Sequence, residues 1–92
     1  MTEKDAPLRR LPWTEDGRPA YLSGDGGPVS RLADAVEAQQ LETAAVVLAL
    51  AGEMLASGRM TLLEATWVSR RLTECLRDAL DVVDSRGTRL GL

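Results

Sequence analysis

Ninety-two residues suffice for one small domain, and 11 Lys+Arg against 14 Asp+Glu leave a net charge of -3 with no histidine. Without His and with the single cysteine Cys75, a structural zinc site, a His-based nucleophile system and an internal disulfide are all out of reach. No run approaches the roughly 20 uninterrupted apolar residues of a membrane span, and no segment is basic enough to hold nucleic-acid phosphates. No cofactor, metal, nucleic acid or membrane is therefore expected, and the composition reads as a soluble cytoplasmic protein.

Residues 1–27 are rich in Pro and Gly and read as an N-terminal arm. Leu11-Pro12-Trp13-Thr14 and Pro19-Ala20-Tyr21-Leu22 flank Glu15-Asp16-Gly17-Arg18, so a short β-hairpin over 11–22 is expected around Asp-Gly. The prolines make its strands edge strands or extended chain. Trp13 and Tyr21 are either pins that hold the arm on the rest of the protein or an aromatic anchor for a partner. Ser23-Gly24-Asp25-Gly26-Gly27 reads as a flexible linker. It lacks the Lys and Ser/Thr of a phosphate-binding loop, and Asp25 would repel phosphate.

A helix is expected over 28–57, started by Pro28 at the first helical position and stopped by Gly58. Val29, Leu32, Ala33, Val36, Gln40, Ala44, Val47, Ala51, Met54 and Leu55 recur at helical spacing, with Gln40 as the polar member. Residues 44–51 are apolar all round, the mark of a helix covered on more than one side. Asp34, Glu37 and Glu42 read as its solvated face.

A second helix is expected over 61–86. Thr61 and Glu64 form a capping box, with Met60 as a staple onto Ala65, and Gly87 is the expected stop. Ala65, Val68, Leu72, Cys75, Ala79 and Val82 make its apolar seam, widened by Leu62, Ser69, Leu76 and Val83. Cys75 reads as a small buried hydrophobe. Arg70 and Arg71 stand at pairing distance from Glu74, or form a patch with Trp67.

The fold class is thus all-α: an antiparallel two-helix hairpin, 28–92, with an irregular arm. Two helices alone leave much apolar surface bare, so dimerisation into a four-helix bundle is expected; the competing solution is the arm folding back as a lid. The expected dimer core is Val36, Val47, Leu48, Ala51, Leu72, Cys75 and Ala79. Trp13, Tyr21, Trp67, Arg70 and Arg71 are the expected partner-binding residues.

Leu11-Pro12-Trp13, then Asp16-Gly17-Arg18-Pro19-Ala20-Tyr21-Leu22, Ser30-Arg31-Leu32-Ala33-Asp34, Glu37, Gln40-Leu41, and later Arg71-Leu72-Thr73-Glu74, Leu76-Arg77-Asp78 and Ser85-Arg86-Gly87-Thr88-Arg89-Leu90 together resemble a group of small actinobacterial helical-hairpin proteins. The resemblance covers residues 11–90 and carries no catalytic motif. It implies a regulatory role and no site residues. WXG-type secreted proteins are a poorer comparison, because the turn here is Ser57-Gly58-Arg59-Met60 and Trp67 lies inside a helix, followed by Val68-Ser69. The functional expectation is a non-enzymatic, dimeric helical protein that binds another protein. The alternative is a small-molecule sensor with a pocket between the helices and the arm.

Overall fold

Asp16 and Gly17 both adopt positive φ, 52° and 75°, the backbone that a two-residue hairpin turn of type I′ requires. In the computed structural model, which describes residues 8–24 and 26–89, this turn joins β1 (Leu8–Glu15) to β2 (Arg18–Ser23) in an antiparallel pair. The hairpin is longer than the expected 11–22 and begins three residues earlier. Its ladder pairs Arg9 with Leu22 and Arg10 with Tyr21, shifts register, and resumes with Thr14 opposite Pro19. Pro12 sits in the irregular stretch, where its missing N–H costs no ladder bond.

α1 (Pro28–Ser57) and α2 (Leu62–Arg89) follow, and pack antiparallel as a hairpin. Gly27 is the N-cap of α1 without a side-chain cap, and Pro28 opens the helix. Gly58 closes it in the left-handed region, φ 66°, with its N–H on the Leu55 carbonyl. The α2 capping box is formed as expected: the Thr61 N–H donates to Glu64 Oε1 at 3.0 Å, and the Glu64 N–H to Thr61 Oγ1 at 3.1 Å. Those bonds hold the Glu64 carboxyl below its ordinary range. Gly87 does not stop α2, which continues to Arg89. A glycine with ordinary helical φ is a weak stop, because a C′ residue must turn left-handed.

The protein is an elongated rod of 59 × 25 × 23 Å. The middle of the helical seam is as expected: Val47, Ala51, Val68, Cys75 and Val82 are buried, with Ala65, Leu72 and Ala79 half-buried between them. Leu62, Ser69, Leu76 and Val83, expected to widen it, and Val29, Leu32 and Leu55 of the α1 stripe are instead exposed. At the open end of the hairpin, β1 lies against both helices. There the second core forms from Leu11, Ala20 and Ala33, with Trp13 and Leu22 packed on it. The arm therefore folds back on the helices, but not as the lid that would cover the bare apolar surface: Leu48, Leu63, Trp67 and Leu80 remain exposed.

α1 is long and apolar enough, by length and composition, to cross a membrane, with a mean hydropathy of 1.2 over its best 18-residue window. Only 11% of that window is buried within the chain. Residues 1–7, 90–92 and Asp25 lie outside the described residues, as do the side chains of Thr88 and Arg89. The expectation for Asp25 in the entry loop falls there.

Candidate functional site: the exposed faces of the helical hairpin

The structure corrects the expectation that Asp34, Glu37 and Glu42 share a solvated face. Glu37 is buried, 2% exposed, because Arg9 is brought over it from β1. Arg9, Leu11 and Trp13 alternate onto the inner face of the strand, and Ser30, Asp34 and Glu37 line up one helical turn apart on α1. Arg9 Nη1 donates to the Ser30 carbonyl at 3.0 Å and to Ser30 Oγ at 2.7 Å. Its Nη2 donates to Asp34 Oδ1 at 2.6 Å and Glu37 Oε1 at 3.2 Å. Arg10 Nη2 stands 3.6 Å from Asp81 Oδ1, and buried Ser85 donates from Oγ to the Arg10 carbonyl at 3.1 Å. Gln40, the polar residue in the α1 stripe, donates to the Pro12 carbonyl at 3.4 Å.

These polar ties latch the arm to both helices and leave little room beneath it. The cavity lined by Arg10, Leu11, Pro12, Glu37, Gln40, Asp81 and Val82 measures about 10 Å³, which is space for one water at most. The pocket expected between helices and arm is thus filled by the arm itself. Sequence reasoning missed Arg9, Ser30, Glu37 and Ser85. The available signal was the period of two through Arg9, Leu11 and Trp13, which puts Arg9 on the buried side once β1 is started at Leu8.

The five expected partner-binding residues lie in two places. Trp13 is half-buried against the Leu11–Ala20–Ala33 core, which is the pinning role, while Tyr21 on the other face of the hairpin is 56% exposed. Trp67, Arg70 and Arg71 lie together on one flank of α2 near the turn, about 20 Å along the helix from the arm contacts at Asp81 and Ser85. Arg71 Nη1 pairs with Glu74 Oε1 at 2.7 Å. Arg70 is exposed and Trp67 is 49% exposed.

The dimer-core expectation is corrected as well. Val47, Ala51 and Cys75 are buried inside the single chain, and Val36, Leu72 and Ala79 are half-buried. One hairpin closes this seam without a second copy. Leu48 alone of the seven is exposed, at 67%.

Apart from Leu8, Tyr21, Val29 and Leu32 near the arm and Val46 on α1, the large apolar side chains that remain exposed fall on two flanks of the rod. On the first, Leu50, Met54, Leu63, Glu64 and Trp67 line an open concavity of about 570 Å³ near the turn. Further along α2 this flank carries Glu74 and Asp78, while Asp81 faces Arg10 and the concavity of Thr73, Leu76, Arg77 and Leu80. Burial, reinforced by Asp81 and Glu74, raises the Asp78 carboxyl above its ordinary range. On the second flank, across the seam, lie Leu48, Leu55, Leu62, Leu76, Leu80 and Val83, all more than half exposed. Monomers rarely leave that much contiguous apolar surface in water unless it meets something.

Among the described residues, no group of three or more His, Cys, Asp or Glu is placed to hold a metal ion. No family model, no curated protein and no solved structure matches the chain.

Proposed function

We propose that this protein is a non-enzymatic, dimeric helical protein that works by binding another protein, in a regulatory or adaptor role in the cytoplasm. The observation that carries the reading is the pair of exposed apolar flanks on a hairpin whose own seam is already closed. Helix faces of this kind are used to dock helices. The groove of Leu50, Met54, Leu63 and Trp67 supplies a concave apolar floor with an aromatic anchor, the features that concentrate binding energy. Arg70 and Arg71 on the same flank supply charge that can orient a partner. The similarity to small actinobacterial helical-hairpin proteins supports the regulatory part. Glu42 and Glu53 within α1, and the polar latch at its first turns, favour water over lipid as its surroundings.

The small-ligand alternative finds little room under the arm; the larger open groove near the turn has one charged residue, Glu64, on its wall. A specific small-molecule site needs several convergent polar groups.

The test is native affinity capture from the source cell with the full chain and with Leu63→Glu/Trp67→Glu. A stoichiometric second protein retained by the wild type and lost by the variant is expected. Recovery of this chain alone would overturn the partner-binding reading.

A further inference from the structure

We infer that the apolar stripe formed by Leu48 and Leu55 of α1 with Leu62, Leu76, Leu80 and Val83 of α2 is the self-association face, and that a second copy of this chain covers it to close a four-helix bundle. The inference rests on the dimeric part of the reading above and keeps only Leu48 of the residues expected in the dimer core.

Three observations single out this flank and this occupant. The first is periodicity. Leu41, Ala45, Leu48, Gly52 and Leu55 follow each other at alternating spacings of four and three on α1. Leu62, Thr66, Ser69, Thr73, Leu76, Leu80 and Val83 do the same on α2. These are second heptads, displaced from the intrachain seam, and a repeat of that kind lets a helix pack on two neighbours at once. Small Ala45, Gly52 and Ser69 alternate with large Leu48, Leu55 and Leu76, the relief that lets two faces interdigitate.

The second is charge. Neither stripe itself holds a charged residue; Arg77 and Asp81, of opposite sign, stand at its edge in one concavity with Thr73, Leu76 and Leu80, whereas the opposite flank carries Glu74 and Asp78. A two-fold axis sets a surface against itself. The stripe sets apolar side chains against apolar side chains, with Arg77 and Asp81 able to meet an opposite charge at its edge, whereas the flank with Glu74 and Asp78 would set a mixed, charged surface against itself.

The third is area. From Leu62 to Val83 the stripe runs about 32 Å. Two helices side by side at about 10 Å each give it roughly 600 Å² per copy, the lower end of what a stable interface of standard size takes from each partner. The flank left free is the one with the Trp67 groove, so a dimer would present two copies of that groove.

Sedimentation velocity on the full chain, over a concentration series, tests this. The wild type should run at twice the chain mass. Leu48→Glu/Leu76→Glu, two substitutions at positions exposed in the single chain, should weaken dimerisation by at least 100-fold with the helical circular dichroism signal kept. Ser69→Arg, at an exposed polar position of the same stripe, should weaken it too and covers the case in which the double variant fails to fold. Leu63→Glu/Trp67→Glu should remain dimeric. A monomeric wild type at high micromolar concentration overturns the proposal, as does a dimer that survives the changes on the stripe or dissolves with the changes at the groove. The partner-binding reading fails separately, by capture of this chain alone, whatever the sedimentation result.

Discussion

Replacing Arg9 by alanine should undock the β-hairpin from the helices. The Arg9 and Glu37 side chains are 5% and 2% exposed, and their atoms stand 3.2 Å apart. Removing one member of a buried ion pair costs about 3–5 kcal/mol, because the other charge stays in a poorly solvated place. The two Ser30 hydrogen bonds would go as well, at about 1 kcal/mol each. That sum rivals whatever docks the arm, since a two-stranded hairpin is marginal by itself. The chain therefore relieves the strain by releasing the arm and rehydrating Glu37, not by burying a bare carboxylate. In a Trp67→Phe background Trp13 is the sole tryptophan, and it packs on the core beneath the arm. Arg9→Ala should shift its emission to the red. In thermal unfolding, a loss of about 3 kcal/mol should lower Tm by about 12 to 24 °C. Asp34→Ala is the control: the Asp34 side chain is 63% exposed, and an exposed pair is worth about 1 kcal/mol or less. Arg9→Met/Glu37→Leu should recover most of the loss, because the Arg9 Nε is buried with no hydrogen-bond partner among the described residues and ionic clusters are often replaceable by apolar packing. An unchanged Trp13 emission in Arg9→Ala, or an equal loss in Asp34→Ala, would refute the latch.

Thr61→Ala should cost about 1 kcal/mol by removing the α2 cap, measured by urea unfolding. The Glu64 carboxyl has its pKa lowered by folding, so its contribution is present above the ordinary carboxylate pKa and is lost as pH falls through the folded value. The Tm advantage of wild type over Glu64→Gln should therefore shrink in acid. Asp78 has the opposite sign: its raised pKa makes its charge a penalty at neutral pH that starts to shrink as pH reaches the folded value and is gone below the ordinary carboxylate pKa. Asp78→Asn should raise Tm at neutral pH, and that gain should fade on acidification or with added salt. Gly87→Ala should stabilise α2 by about 0.5–1 kcal/mol, since the glycine is inside the helix and an added Cβ meets no atom within 4 Å; a loss of stability in circular dichroism melts would put Gly87 back at a helix end.

Local chemistry determined much of this protein from the sequence alone. Asp16-Gly17 set the hairpin turn, Pro28 and Gly58 set the bounds of α1, and the Thr61–Glu64 box set the start of α2, because each acts through neighbours within four residues. The seam through Val47, Ala51, Val68 and Cys75 was legible for the same reason: a helical period names the face. Only the tertiary structure decided what each face meets. Glu37 looked solvated on α1 because the guanidinium that buries it comes from 28 residues away. Of the residues expected in a dimer core, Val47, Ala51 and Cys75 are buried within one hairpin, while Leu48 is left exposed. The second stripes, from Leu41 to Leu55 and from Leu62 to Val83, stood out only once the seam had been used up. Periodicity fixes which side chains share a surface; the geometry of the folded chain fixes which of those surfaces is left over for a partner.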